Sequence, residues 1–198
     1  GIEADKDGFL YVADIKKHRI QKFTTDGQFV KWEKSDIDEE GQFNEPFGIA
    51  ADKDFIYVVD RRNDRIQKFS KDGGLSDDME KWGEEGQGDG QFYSPSGIAV
   101  SHSGFVYVVD MENNGIQKFT TNGQFLTKWG SYGSSDGYFS KPLGIAAYDN
   151  FIYVADSLNN RIQKFASYGK FLKWENRNIE EAQFDLPYGI TTDHDGYI

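Results

Sequence analysis

The sequence has 198 residues, enough for one sizeable domain or two small ones. Its net charge of −11, from 22 Lys+Arg against 33 Asp+Glu, opposes the long-range approach of nucleic acid and of anionic membranes. The chain has no cysteine, which excludes disulfides and thiolate metal sites, and no apolar run approaches the ~18 residues that span a bilayer.

The chain is built from repeats. The opening GIEADKDG recurs in related form at spacings of 47, 49, 47 and 45 residues. Every proline stands two residues before the next repeat's glycine, and each tryptophan holds one equivalent place. This regularity predicts a single domain over residues 1–198, since units of this length stack on their neighbours. The predicted repeats are 1–47, 48–96, 97–143 and 144–188, with the start of a further blade at 189–198.

Four strand signals follow one another in each repeat. A short glycine-led segment of small residues comes first, and the second segment reads FLYVAD, FIYVVD, FVYVVD and FIYVAD in turn. The third reads RIQKF three times and GIQKF once, and the fourth runs to the tryptophan. Turn residues, among them Asn122-Gly123, separate the segments, as expected for hairpins.

The pattern predicts an all-β fold, a β-propeller of four-stranded antiparallel blades. The second strand is apolar along its whole length, which indicates that both of its faces are covered. Four short strands per repeat of about 45 residues are typical of a propeller blade, and no helical periodicity is present. In RIQKF, Ile20 and Phe23 point to opposite faces of the strand, so each is expected to contact a different neighbouring blade.

The repeat resembles the NHL repeat. Residues Pro142 through Trp174 carry the pattern P-x-G-I-A, then IYVADSLNNRIQKF, then the glycine and aromatic residues before tryptophan. The resemblance covers the whole chain and implies a six-bladed ring. Because the chain holds four repeats and the start of a fifth, we expect it to be part of such a ring, which at this repeat length needs roughly 280 residues.

Residues that every repeat carries are predicted to be structural. The aspartate ending each second strand is expected to accept hydrogen bonds from the backbone of the following turn. The glutamine of each third strand is expected to be a paired polar group between blades. These residues are Asp14, Asp60, Asp110 and Asp156, with Gln21, Gln67, Gln117 and Gln163.

Residues that break the repeat are the candidates for binding. They cluster in the turn between the second and third strands and in the charged connection from the fourth strand to the next blade, and in a propeller both emerge on one face. The alternative is that these loops are merely solvated. The candidate binding residues are Lys16, Lys17, His18, Arg61, Arg62, Asp64, Met111, Glu112 and Leu158.

The sequence offers little for metal binding or catalysis. Asp36, Asp38 and Glu40 resemble the start of a calcium loop, but the twelfth position is Phe47 instead of a bidentate glutamate. We predict no catalytic residue and no cofactor, and leave room only for a structural divalent cation such as calcium. The three histidines show no zinc spacing and are read as solvent-facing turn residues: His18, His102 and His194.

Three functions remain open at this point. The first is a non-catalytic binding, scaffold or sensor module that uses the charged loop face for a protein or carbohydrate partner. The second, implied by resemblance, is a metal-dependent lyase or lactonase-type enzyme whose site would lie partly in other blades. At the four positions where the lyases place histidine ligands, this chain has none: Phe47, Ser96, Leu143 and Tyr188.

The third function, also implied by the resemblance, is RNA binding, as in the NHL domains of tripartite-motif proteins. A basic patch exists near Arg61, but the acidic loops and the net charge oppose phosphate. We therefore expect no nucleic-acid partner and no membrane insertion, and self-association if the chain is a piece of a ring. The resemblance favours a prokaryotic, extracytoplasmic or secreted location.

Overall fold

The computed structural model describes residues 1–31, 43–71, 81–173, 184–193 and 197–198. Within them the chain forms four sheets of four antiparallel strands, each sheet made of consecutive strands. The first blade holds β1 (Ile2–Ala4), β2 (Phe9–Asp14), β3 (Arg19–Thr24) and β4 (Phe29–Val30), and the second holds β5 (Pro46–Ala51), β6 (Phe55–Asp60), β7 (Arg65–Ser70) and β8 (Lys81–Trp82). The third holds β9 (Pro95–Val100), β10 (Phe105–Asp110), β11 (Gly115–Thr120) and β12 (Phe125–Trp129), and the fourth holds β13 (Pro142–Tyr148), β14 (Phe151–Asp156), β15 (Arg161–Ala166) and β16 (Phe171–Leu172).

The predicted all-β architecture of four-stranded antiparallel blades is confirmed. In each of the last three blades a register shift between the first two strands sets the proline opposite the aspartate, for example Pro95 opposite Asp110. The sequence turns predicted as hairpins lie between these strands. No helix in the described ranges is long and apolar enough to cross a membrane.

The cores lie between the blades. On β10, Val106 and Val108 pack into the cluster shared with the second blade, while Tyr107 and Val109 pack into the cluster shared with the fourth. All four side chains are fully buried. The strand is therefore apolar along its length because each of its faces meets a different sheet, as predicted.

The RIQKF segment shows the same division. Ile66 belongs to the cluster between the second and third blades, whereas Phe69 belongs to the cluster between the first and second. The corresponding Ile116 and Phe119 divide in the same way, one blade further along. The odd spacing of these two residues therefore links each blade to both neighbours, which confirms the prediction.

The inner strands approach each other closely at the opening glycines. A Cβ atom on Gly48 would lie 2.5 Å from the carbonyl oxygen of Ser96, and one on Gly97 would lie 2.5 Å from that of Leu143. Gly144 stands in the same relation to Tyr188. Only glycine fits there because the backbone of the next inner strand occupies the space of a side chain.

The tryptophans make a second contact between blades. The indole of Trp82 covers Gly123 in the tight turn of the next blade, and Trp129 covers Gly169 in the same way. Both glycines have positive φ, +77° and +92°. A side chain at either would be strained and would collide with the indole.

Candidate binding face

The aspartate that ends the second strand organises one face of the propeller. Asp156 is fully buried; its Oδ1 accepts from the backbone N–H of Ser140, and its Oδ2 accepts from Asn159, Arg161 and Gln163. The structural role predicted for these aspartates is therefore supported. The predicted donor was wrong for Asp60, Asp110 and Asp156, because the backbone N–H that each accepts comes from the connection before its blade. Asp14 does accept from the backbone N–H of its following turn, at Lys17.

The glutamine of the third strand ties the same connection to the blade. Gln163 Nε2 donates to the carbonyl oxygen of Tyr138 at 2.7 Å, and its Oε1 accepts from the N–H of Gly137 at 2.9 Å. Gln117 makes the equivalent pair of bonds with Gln91 and Gly90. Both glutamines are paired polar groups, as predicted, and their partners are backbone atoms of the connecting loop.

A hydrogen bond joins each turn to the next blade. The turn between the second and third strands ends in a left-handed residue, and its side chain accepts from a backbone N–H just before the next blade's proline. His18 Nδ1 accepts from Glu45 at 3.0 Å, and Asp64 Oδ1 accepts from Ser94 at 2.6 Å. Asn114 and Asn160 serve the same purpose with Lys141 and Leu186. We call these contacts the turn bridges.

Turns and connections emerge together on this face, as expected. The N–H of Arg62 donates to the carbonyl of Asn44, and that of Glu112 donates to Tyr93, so each turn is bonded to the connection entering its own blade. Between the second and third blades these segments enclose a pocket of about 470 Å³, here called the rim pocket. Its lining residues are Glu45, Arg61, Arg62, Asp64, Glu85, Tyr93, Ser94 and Glu112.

The two arginines of the rim pocket differ in how they are held. Arg61 Nε donates to Ser94 Oγ at 2.9 Å, and its guanidinium lies 4.9 Å from the centre of the Phe47 ring. Arg62 pairs with Glu45 at 3.1 Å, and its side chain remains 65% exposed. The guanidinium of Arg61 is thus held by contacts within the chain, whereas the guanidinium of Arg62 is accessible to a partner.

The acidic side of the rim pocket is also partly constrained. Burial, with the charges of Glu85 and Asp60, raises the pKa of Asp64, although the bond from Ser94 opposes that shift. Glu112 is paired with Lys141 of the next connection. Glu85 is exposed.

The structure brings four of the predicted binding residues together and separates the others. Arg61, Arg62, Asp64 and Glu112 line the rim pocket. Met111 is buried beneath it, with its sulfur 3.6 Å from the Arg61 guanidinium. The rest lie elsewhere on the face: Lys16, Lys17 and His18 in the exposed turn of the first blade, and Leu158 in that of the fourth. Asp36, Asp38, Glu40 and His194 lie outside the described residues.

Sequence reasoning missed half of the rim pocket. Glu45 and Ser94 occupy the position before the proline, and Tyr93 precedes Ser94. These positions differ between repeats as much as the turns do, so the same search for repeat-breaking residues would have found them. Tyr93 is 49% exposed, which makes it the large apolar contact of the pocket.

At two of the four positions before the opening glycines the side chain is aromatic. The rings of Phe47 and Tyr188 lie 5.7 Å apart, and Ser96 Oγ donates to the carbonyl of Leu143 at 3.0 Å. Among the residues that the structure describes, no group of three or more His, Cys, Asp or Glu side chains could hold a metal ion. His102 is exposed and lines a pocket on the opposite face, formed by the turns at the other end of the strands.

The blades, their interlocking cores and the turn bridges define the class: this is a β-propeller. The NHL repeat family model matches residues 92–119 and 139–165. No curated protein sequence shows significant similarity to the chain.

Solved structures share the fold. A streptogramin B lyase is similar with a TM-score of 0.71 at 16% identity, over 98% of this chain and 73% of that one. A catalytically inactive virginiamycin B lyase from Staphylococcus aureus, with quinupristin, gives 0.67 at 18% identity, over 96% of this chain and 59% of that one. A chain of the nidogen/laminin complex gives 0.69 at 19% identity, over 98% of this chain and 68% of that one.

Proposed function

We propose that the chain is a non-catalytic binding module that takes a protein partner on the face carrying the turns and connections, centred on the rim pocket. The observation that carries this proposal is the exposed Arg62 beside Tyr93, on a rim otherwise fixed by backbone hydrogen bonds. A rigid scaffold that presents variable side chains in loops is the usual arrangement of a binding surface.

The chemistry of the rim pocket favours a protein over a small molecule. Small-molecule sites are lined mostly by apolar side chains, whereas six of the eight residues here are charged. Arginine and tyrosine are enriched at protein interfaces, where they contribute a large share of the binding energy. A partner that offers a carboxylate to Arg62 would compete with Glu45 for its guanidinium.

The similar structures support both binding and enzymatic propellers. One of them comes from a protein–protein complex, that of nidogen and laminin. The likeness, at 19% identity, is a likeness of fold, so the choice of a protein partner rests on the rim pocket itself.

The test compares Arg62→Glu with Lys53→Glu. Both positions are exposed and both substitutions change the charge by the same amount, but Lys53 lies on the opposite face. Proteins retained from the source lysate by the immobilised chain are identified by mass spectrometry. We expect Arg62→Glu to reduce retention of the specific partner about tenfold or more, and Lys53→Glu to leave it unchanged. Equal retention by the two variants contradicts the proposal.

A lyase is the second candidate, because two of the similar structures are streptogramin-type lyases. The measurement is the consumption of quinupristin by the purified chain, followed by chromatography with and without added divalent cation. Turnover above the buffer rate would favour the enzyme, and its absence would exclude quinupristin as a substrate of the 198-residue chain.

A further inference from the structure

One blade lacks the arginine that opens the third strand in the other three. Gly115 takes the place of that residue, so the segment reads GIQKF instead of RIQKF. Its counterparts are Arg19, Arg65 and Arg161. Each of the three lies beside the aspartate that ends the second strand of its own blade.

The fourth blade shows what such an arginine does. Arg161 Nε donates to Asp156 Oδ2 at 2.7 Å, and its terminal nitrogen donates to the carbonyl oxygens of Ser135 and Tyr138 at 2.8 and 2.9 Å. One carboxylate and two carbonyls therefore surround the planar guanidinium. This fork of donors is the feature that distinguishes arginine from lysine.

The third blade retains the acceptors. Asp110 corresponds to Asp156, and Gln91 corresponds to Tyr138, because Gln117 donates to the Gln91 carbonyl as Gln163 donates to that of Tyr138. By the same alignment Gly88 corresponds to Ser135: Gln91 N–H donates to the Gly88 carbonyl as Tyr138 N–H donates to that of Ser135.

The loop around these acceptors has the same fold in both blades. Asn113 Nδ2 donates to the Gly86 carbonyl at 2.8 Å, and Asn159 makes the same bond to Gly133 at the same distance. Only the arginine side chain is missing from the third blade. The third blade therefore has the acceptor groups for a guanidinium but carries no arginine side chain that donates to them.

A cavity lies where the side chain would enter. It measures about 460 Å³, and its lining includes Asp110, Asn113, Gly115 and Gln117. Lys128 forms another wall, but it is committed to the connection, donating to the Gln87 carbonyl at 3.0 Å and pairing with Asp89 at 2.9 Å. A ligand would therefore meet Asp110 without displacing a bonded side chain, and Gln87 of the lining directly precedes Gly88 in the loop that carries the carbonyl acceptors.

Asp110 is a buried carboxylate without a cation. It is 3% exposed, and no basic side chain in the described part of the chain lies within ion-pair distance of it. Among the described residues, its hydrogen-bond donors are Tyr93, Asn113 and Gln117. Burial, with a smaller contribution from the charge of Asp64, raises the pKa of Asp110, although its hydrogen bonds oppose the shift. A cation in the cavity would relieve that cost.

We propose that the cavity at Gly115 binds a guanidinium group supplied from outside the chain, either the side chain of an arginine in a protein partner or a free arginine-like molecule. Asp110 accepts from one edge of the guanidinium, and the carbonyls of Gly88 and Gln91 accept from the other. The fourth blade fills the equivalent receptor with Arg161, and Arg19 and Arg65 lie beside the equivalent aspartates of the first and second blades. This cavity adjoins the rim pocket, with which it shares Glu112, but its proposed ligand does not depend on the function proposed for the rim pocket.

The test measures binding of two guanidinium probes by calorimetry to the purified 198-residue chain. Agmatine represents a free molecule, and an N-acetyl, C-amide peptide containing one arginine represents a protein segment. The lysine version of the same peptide is the control for charge alone. We expect saturable 1:1 binding on the order of 1 mM or tighter for an arginine probe, and binding about tenfold weaker for the lysine peptide.

Two substitutions of Gly115 distinguish occupation of the guanidinium site from a general disturbance of the loop around it. Gly115→Arg supplies the guanidinium from within the chain and should abolish binding of both probes. Gly115→Ala adds a Cβ that meets the Trp129 carbonyl oxygen at 3.2 Å but brings no charge, so binding should persist within about threefold. Gly115→Arg should also lower the pKa of Asp110, measured by carboxyl-carbon NMR.

The reverse substitution creates a site. Arg161→Gly empties the equivalent receptor in the fourth blade, and the number of bound agmatine or peptide molecules should rise from one to two. Binding of the peptide alone assigns the site to a partner's arginine, and binding of agmatine with equal affinity assigns it to a free molecule. Absence of binding to the wild-type chain, or unchanged binding by Gly115→Arg, overturns the proposal. Arg62→Glu, which tests the rim pocket, should leave this binding unchanged.

Discussion

At the scale of single residues, different residue types perform the same structural role in this chain. His18, Asp64, Asn114 and Asn160 are three different residue types, yet each presents an acceptor atom at the same left-handed position. Sequence comparison between repeats treats His18 and Asp64 as departures that are free to bind a partner. The structure shows that both first serve the turn bridges, because what the repeat preserves there is a hydrogen-bond acceptor.

The opposite case occurs at Gly115. One changed letter in RIQKF looks minor in the sequence. It removes the arginine side chain that, in the fourth blade, donates to the aspartate and to two carbonyl oxygens of the connecting loop. The departure was visible from the sequence. Its consequence was not, because the acceptors come from a connecting loop some 25 residues away along the chain, as the bond from Gln117 to Gln91 shows.

A half-buried carboxyl on the first strand, that of Glu3, gives a prediction at this scale. Burial raises the pKa of Glu3 from 4.5 to about 7, with the charge of Asp5 acting in the same direction and the bond from Ala51 and the charge of Lys71 opposing it. The folded chain therefore keeps the Glu3 proton through a window in which the unfolded chain releases it. The free energy of unfolding should fall as the pH rises from 4.5 to about 7.

Glu3→Gln removes this titration while keeping the shape of the side chain. The difference in unfolding free energy between the wild-type chain and Glu3→Gln should therefore change across the window, in favour of the variant at the higher pH. Urea denaturation at a series of pH values measures it. Parallel curves for the two proteins would show that Glu3 titrates alike in the folded and unfolded chains.

At the scale of strands and blades, the sequence predicted most of what the structure contains. The four strands of each blade, the burial of both faces of the second strand, and the division of Ile66 and Phe69 between two interfaces all followed from spacing and residue type. These features depend on local periodicity, which a sequence displays directly. The rim pocket depends on how two loops from different blades fold against each other, and local pattern carries little information about that.

The inner strands supply a prediction at this scale. Gly97→Ala would place its Cβ 2.5 Å from the Leu143 carbonyl oxygen, so the two strands must separate. We expect a loss of about 1–3 kcal/mol in the free energy of unfolding, the usual cost of overpacking. Denaturant titration of the purified variant measures it.

Gly189→Ala is the matched control, because a Cβ at that position meets nothing within 4 Å. It should change stability by less than about 0.5 kcal/mol. An equal effect of the two substitutions would show that loss of backbone freedom, rather than contact between inner strands, explains the glycines.

At the scale of the whole molecule, the blades are joined side by side through three separate cores. Each core is shared equally by two sheets, so a defect in one should be felt on both sides. This arrangement is that of a repeat protein whose stability is a sum of units and interfaces.

Val108→Ala tests this sharing. Val108 is fully buried in the core between the second and third blades, and its truncation should cost about 1–3 kcal/mol. Amide hydrogen exchange should accelerate in β6 and β10 alike. Leu126→Ala, at a side chain that is 42% exposed, should leave both strands protected. Faster exchange confined to the third blade would mean that each sheet is stable by itself.

The turn bridges and the tryptophan–glycine contacts both run in one direction along the chain. The second and third blades each offer an acceptor and an indole to the next blade, and the third and fourth blades each offer an N–H and a glycine turn to the blade before. A blade is thus a module with two unlike, mutually fitting sides. It follows that a tandem copy of residues 95–141, inserted directly after its own original, would bring every one of these inter-blade contacts with it, so the propeller should accept an added blade without redesign of any interface.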